Sequence, residues 1–410
     1  MTELAERPAR IGLPIRWRKE FVLFLPAVGV VTLGVFLLSG SEPDYLGGLR
    51  LWQKQALWAC LGVAAALGAS LVPTRFLFAL APFLYALNLL ALLALRFAGT
   101  EKGGAVSWFD LGPMRFQPAE TMKIVSILAL ARALNPPKGA VPGFRQFLLA
   151  TLLAAVPSAL IALQPDLGTA LVFPGILVAM LYGSRIQRRY LSLIAIPIWA
   201  VVALPNEVLP WMVWGSGVGL WLLLLSWKGE RTGRLALFGL AHALSVVVVV
   251  QGIKPLWTEV LKPHQRDRIA GFVQGVEGDV RELSPAAYHL RQSLIAISSG
   301  GLAGQGLGQG LQSSHGFIPM MRTDFIFAVL AEELGFLGSS LLFLLLALLL
   351  LASVGAAGGA STWRESSLVF GVVGMWGVHI FVNLGMTMGL MPITGIPLPF
   401  FSYGGSSLLA

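Results

Sequence analysis

The sequence predicts an all-α, polytopic transmembrane helix bundle. Three observations carry that prediction. Hydrophobic residues make up 56% of the chain and charged residues only 12%, about half the charge of a soluble domain; the mean hydropathy is +0.76. The apolar residues gather in long runs, and about 20 of them suffice to cross about 30 Å of hydrocarbon. Basic residues collect at alternate ends of those runs, as the bias of Lys and Arg toward cytoplasmic loops requires. No stretch reads as a separate soluble domain, so residues 1–410 are expected to form one integral membrane domain.

Residues 1–20 carry Arg7, Arg10, Arg16, Arg18 and Lys19, which places the N-terminus in the cytoplasm. The first apolar run is too long for a secretory signal and lacks a small-residue cleavage site, so it is read as a span. Helices follow at roughly 21–39, 54–72, 75–97, 117–134, 146–163 and 169–183. Five more are expected at roughly 190–204, 211–227, 235–251, 325–353 and 367–391. Counted from the inside, the loops 73–75, 135–145, 184–189, 228–234 and 354–366 are cytoplasmic. They hold Arg75, Lys138, Arg145, Arg185, Arg188, Arg189, Lys228, Arg231, Arg234 and Arg364, in agreement with the count. Leu408–Ala410 read as the start of a truncated last span, for about 11–12 spans in all.

The outer side has its own character. Segment 252–323 is a large extracytoplasmic loop with Lys254, Lys262, Arg266, Arg268, Arg281, Arg291 and Arg322. Two readings of this charge stand side by side: an anionic ligand such as phosphate or pyrophosphate, or contact with lipid headgroups and water. The net charge of +9 belongs to the membrane arrangement, so nucleic acid is not an expected partner. The single cysteine, Cys60, excludes an internal disulfide, and the five histidines have no metal-ligand spacing. Asn383 to Ser407 is too rich in Pro and Gly for a regular helix. Irregular backbone at membrane depth is tolerated only inside protein or along a wet cavity, so a broken, re-entrant-like segment is expected there.

Several groups could carry chemistry. Gln117, Glu120 and Lys123 lie in QPAETMK; Glu120 and Lys123 share a helix face, either as an internal ion pair or as part of a polar site. Trp108 and Arg115 lie just before them in SWFDLGPMRF. Trp108 is either an interfacial anchor or a stacking platform for a sugar. Asp166, in QPDLGT, either caps the next helix or pairs with a cation. Gln265, Arg266 and Arg268 crowd many donors into QRDR, and arginine forks match phosphate oxygens. The glycine-dense Ser298–Gly310 lacks the order of a nucleotide-binding loop and reads as tight turns with close backbone approach. Asp324 stands where the polar loop meets the apolar helix, either as an N-cap or as a general base. Glu332 and Glu333 follow in the same apolar run, where a carboxylate is costly and needs a cavity, a partner or a substrate.

The stretches RFQPAETMK at 115–123, QPDLGTA at 164–170 and QRDRI at 265–269 form an ordered set. QSLIAISSGGLAGQGLGQG at 292–310, TDFIFAVLAEELGFLG at 323–338 and NLGMTMGLMPITGIPLPFFSYGGSS at 383–407 complete it. On these motifs the chain resembles the SEDS family (shape, elongation, division and sporulation), with AVLAEELG closer to the RodA branch than to FtsW. Three departures stand out. Met320 and Arg322 replace the family's Glu and His before the TD, LSPAAYHLRQS replaces its DP-x-GAGYQ stretch, and residues 205–251 look like a helix pair inserted into the family's ten spans.

The resemblance implies an inverting peptidoglycan glycosyltransferase of the bacterial cytoplasmic membrane, serving elongation and rod shape. Its substrate would be lipid II, its leaving group undecaprenyl pyrophosphate, and its active site extracytoplasmic. It assigns the family's essential aspartate to Asp324. It assigns substrate binding to Trp108, Arg115, Gln117, Glu120, Lys123, Asp166, Gln265, Arg268, Gln292 and Ser293. It allows a divalent cation, Mg2+ or Mn2+, and implies a class B penicillin-binding protein, a transpeptidase, as partner. A lipid II flippase and a scaffold that recruits the transpeptidase are the rival readings of the same pattern.

Overall fold

In the computed structural model the described residues are 19–40, 49–102, 105–110, 115–136, 142–186, 263–277, 284–318 and 320–405, with isolated positions at 190, 193, 240, 244 and 408. Apart from those isolated positions, the expected helices at 190–204, 211–227 and 235–251, and with them the inserted pair, lie outside the described residues. So do the basic N-terminal tail and all of the last expected span except Leu408.

The first half runs α1 (Lys19–Ser39), α2 (Leu51–Ser70), α3 (Thr74–Ala98), β1 (Thr100–Lys102), β2 (Ala105–Asp110), β3 (Arg115–Phe116), α4 (Pro118–Leu134), α5 (Phe144–Ala162) and α6 (Leu167–Tyr182). The second half runs α7 (Pro263–Glu277), α8 (Pro285–Ser299), α9 (Leu311–Ser314), α10 (Ile326–Gly358) and α11 (Trp363–Thr387). Four of these helices are long and apolar enough to cross a bilayer: α3, α5, α10 and α11.

The structure adds detail to the sequence reading in two loops and corrects it at one place. The connection after α3 is a small antiparallel sheet in the order β1-β2-β3, with Phe109 opposite Phe116 and Asp110 opposite Arg115. The large loop 252–323 contains α7, α8 and α9. Its helix α8 carries ordinary start signals: Ser284 at the N-cap accepts from the Ala287 N–H at 3.3 Å, and Pro285 opens the first turn. Ala286, Leu290, Ser293 and Ala296 then fall on one buried face. The correction concerns α11, which keeps helical backbone through Thr387 and so takes in Asn383, where the sequence suggested irregularity. Only after Thr387 does the chain leave regular structure, with Gly389 at φ +71°.

Helix α10 has 33 residues, about 50 Å at 1.5 Å per residue, far more than a bilayer needs. Gly335 resolves the excess. Its backbone, φ 64° and ψ −157°, breaks the helix, a conformation open to glycine and strained for other residues. Before the break, Ile326 to Glu333 are all buried; after it, Phe336 and Leu337 are exposed. The short inner piece belongs to the protein core, and the piece after Gly335 has the length of a span.

Three apolar clusters form among the described residues. One gathers α1, α8, the inner piece of α10 and residues 393–401 around Leu290, Phe325, Leu330 and Phe401. Another gathers α3, α4, α5, α6 and α11 around Leu130, Ile176, Met180 and Met375. Helices α6 and α11 approach closely where Gly175 meets Val378 and Gly374 meets Ala179, since small residues let helix backbones come together. A third cluster gathers Leu92, Leu95, Met122, Ile161 and Phe173 from α3, α4, α5 and α6.

Candidate active site

The site is assembled on the irregular strand 388–403, which is fastened on all sides. Asn383, fully buried in α11, donates from Nδ2 to Ile396 O at 2.7 Å and to Asp324 O at 2.9 Å. Ser402 Oγ donates to Thr323 O at 2.6 Å and accepts from the Leu398 N–H at 2.8 Å. The Tyr403 N–H donates to Arg322 O at 2.9 Å. Buried Gln55 of α2 donates to Ser402 O at 3.0 Å and accepts from the Gly404 N–H at 3.3 Å. These bonds satisfy backbone groups that would be costly to bury alone, and they hold the backbone on which Asp324 stands.

Asp324 does not cap α10, contrary to the simpler of its two readings. Phe325 occupies the N-cap, and no side chain caps this helix end. The Asp324 side chain instead faces the strand: a Cβ added at Gly395 would lie 3.4 Å from Asp324 Oδ2 and 3.7 Å from Arg268 Nη1. Gly395, at φ +78°, thus allows the carboxylate and the guanidinium to share the space above one residue. Arg268, in α7, also donates to Thr394 O at 3.3 Å. Burial pushes the Asp324 carboxyl above the ordinary carboxylate range; Thr323 and the charge of Arg268 pull it back, and Asp166 pushes it further up.

Beside this lies a second group of polar side chains. Lys123 in α4 pairs with Glu120 at 2.8 Å, and the two side chains are only 2% and 12% exposed. Gln117, at the N-cap of α4, donates to Asp166 Oδ2 at 3.4 Å. Asp166 does cap α6: it accepts from the Thr169 N–H at 3.0 Å and from Thr169 Oγ1 at 2.9 Å. Burial raises its pKa, Thr169 lowers it, Glu120 raises it and Lys123 lowers it. The two groups meet through the strand, because Gly168 at the start of α6 packs directly on Thr394 and Ile396.

The remaining expected residues are placed less centrally. Trp108 and Arg115 lie in the sheet that leads into α4. Gln265 is buried in α7, and Gln292 is partly buried in α8. Ser293 is fully buried, and its hydroxyl donates to Thr387 O at 2.8 Å, tying α8 to α11.

Two histidines were missed. His289 in α8 sets its ring edge-on against Phe325, with centroids 6.4 Å apart; burial and the neighbouring Arg268 lower its pKa, while Asp267 raises it. His379 in α11 contacts Lys123. For His379 the available signal was an ionisable residue inside an apolar run, which by itself suggests function; His289, in the amphipathic α8, gave no such signal.

The cell cycle protein family FtsW/RodA/SpoVE matches residues 19–215 and 218–410 of the chain. The peptidoglycan glycosyltransferase RodA of Treponema pallidum is 32% identical over 95% of this chain and 94% of its own length. The peptidoglycan glycosyltransferase MrdB of Escherichia coli K12 is 35% identical over 82% of this chain and 76% of its own. Among solved structures, a chain of a peptidoglycan synthase complex that coordinates polymerization and crosslinking superposes with a TM-score of 0.66 at 30% identity, covering 94% of this chain and 92% of that one. The chain belongs to the FtsW/RodA/SpoVE family.

Proposed function

We propose that Asp324 is the general base of a glycan-strand polymerase that uses lipid II at the outer face of the bacterial cytoplasmic membrane. The chain is a peptidoglycan glycosyltransferase, the activity its relatives carry, and it serves cell elongation. One observation supports the role of Asp324 above the others: its carboxylate shares the space over Gly395 with a guanidinium and is not consumed in capping a helix.

In this reading the 4-hydroxyl of the acceptor's GlcNAc attacks the anomeric carbon of the donor's MurNAc. The C–O bond to undecaprenyl pyrophosphate breaks, and the configuration inverts. Asp324 takes the hydroxyl proton, a role typically worth about 100- to 10,000-fold. Arg268 and Lys123 offset the charge that builds on the departing pyrophosphate, and Glu120 holds Lys123 in place. Trp108, Arg115, Gln117, Asp166, Gln265 and Gln292 complete the substrate-binding set, and Ser293, fully buried and bonded to Thr387 O, supports it by holding α8 against α11. A divalent cation, Mg2+ or Mn2+, would supply further charge for the pyrophosphate. Among the described residues no three His, Cys, Asp or Glu side chains converge on one point, so these residues do not form a ready-made cage for that ion. A class B penicillin-binding protein, which crosslinks the new strand, is the partner this reading implies.

The test is a gel assay of purified protein, with and without that partner, on fluorescent lipid II and divalent cation. A ladder of glycan strands from wild type and none from Asp324→Ala is the expected result. A ladder from Asp324→Ala would remove the base assignment. No ladder from any sample, with a working control enzyme, would shift the reading to transport or scaffolding.

A further inference from the structure

His379 lies in the apolar middle of α11 and is 8% exposed. Its Nε2 is 3.1 Å from Lys123 Nζ, and its Nδ1 is 3.2 Å from Pro397 O. The chemistry of the two neighbours fixes its form. An ammonium only donates, so Nε2 must accept; a carbonyl only accepts, so Nδ1 must carry the proton. The ring is therefore a neutral bridge with a defined tautomer.

The two ends of that bridge belong to different clusters. Lys123 is bonded to Glu120 at 2.8–2.9 Å and is almost wholly buried. Pro397 ends the strand Thr394–Pro397, whose first carbonyl accepts from Arg268 and whose Gly395 faces Asp324 and Arg268. Among the described residues no other side chain hydrogen-bonds to both the Glu120–Lys123 pair and this strand.

We propose that His379 is a positioning residue of this site: through Nε2 and Nδ1 it holds Lys123 and the Thr394–Pro397 backbone in one arrangement, so that both clusters address a single anionic substrate. The inference rests on the glycosyltransferase reading. A histidine that merely fills the core would use the same volume without coupling the two groups.

The test uses the full chain in nanodiscs with fluorescent lipid II, and four forms beside wild type: His379→Phe, His379→Gln, Lys123→Met and the His379→Phe/Lys123→Met double. Two readouts are taken, kcat/KM for polymerisation and hydrogen exchange of the segment 388–403, with thermal unfolding as the control for folding. His379→Phe keeps the bulk and removes both bonds, and is expected to lower kcat/KM by about tenfold or more. It should also speed exchange in 388–403. His379→Gln still offers an acceptor to Lys123 and is expected to recover most of the rate. The double variant should lose less than the product of the two single losses, since the bond between His379 and Lys123 cannot be lost twice.

Wild-type kcat/KM in His379→Phe overturns the inference, as does unchanged exchange in 388–403 or a double variant whose losses simply multiply. No polymer from wild type, with exchange in 388–403 still responding to His379→Phe, would reject the functional reading and keep the bridge. Polymer from wild type with no response to His379→Phe would reject the bridge and keep the function.

Discussion

Asp324 and the pair Glu332–Glu333 stand about two helical turns apart, on the same stretch of chain. All three are carboxylates at the edge of an apolar run, yet their surroundings differ. Glu332 accepts from the Gln312 N–H at 2.6 Å and the Ser313 N–H at 3.0 Å. Glu333 accepts from the Gly308 N–H at 2.9 Å and Ser313 Oγ at 3.0 Å. Their backbone carbonyls are also taken, by the N–H groups of Gln305 and Gly306. The glycine-dense stretch 298–310 and the short α9 after it wrap this part of α10, so the partner that the two glutamates require is the chain's own preceding segment. Among the described residues no backbone N–H donates to the Asp324 carboxylate; its company is Thr323, Arg268 and the open face of Gly395. A saturated carboxylate holds structure. One with lone pairs to spare, beside a cation, can take a proton.

The sharpest way to break this contrast is Asp324→Asn. It keeps the shape and removes the base, so polymer formation should fall by about 100- to 10,000-fold with no change in thermal unfolding. A near-normal ladder on the gel would sink the contrast. Glu332→Ala should behave in the opposite way. It strands two buried N–H groups at about 1–3 kcal/mol each, seen as a lower unfolding temperature, while the protein that remains folded still turns over. Gly395→Ala sharpens the picture on the Asp324 side. The positive φ costs about 1–2 kcal/mol for a residue with a Cβ, and the new methyl crowds Oδ2. A fall of roughly tenfold in kcat/KM is expected, measured beside an unfolding curve.

The smallest effect is a shift in pH dependence. A general base must be ionised, so the rate rises as pH climbs through the Asp324 pKa, which burial has raised and Arg268 has partly restored. Arg268→Gln removes that restoring charge. The acid limb of the normalised pH–rate profile should therefore move to higher pH. A limb that stays in place would mean that another group is the base.

The spans were legible because apolar runs are long and their ends are marked. Thr362 and Glu365 form a capping box at the start of α11, and Pro118 opens α4. Helix α8 was hidden because its apolar face is narrow and its other faces are polar, which gives no membrane signal. Asp324 was visible as a costly charge, but its freedom from capping was not, since the cap position depends on where Phe325 leaves the helix. The glycines of 298–310 read correctly as close-approach residues, whereas what they approach, Glu332 and Glu333, is a tertiary fact. His379 escaped because its two partners lie far from it in sequence, at Lys123 and at Pro397.

The fastening of residues 322–324 has a consequence for how the protein is made. The groups that hold these three carbonyls come from Asn383, Ser402 and Tyr403, far downstream of the residue they steady. While the ribosome is still adding the chain between α10 and residue 403, Asp324 has already emerged without its supports. The enzyme thus becomes competent late in its own synthesis, and a nascent chain that ends before this point carries the aspartate but not the site.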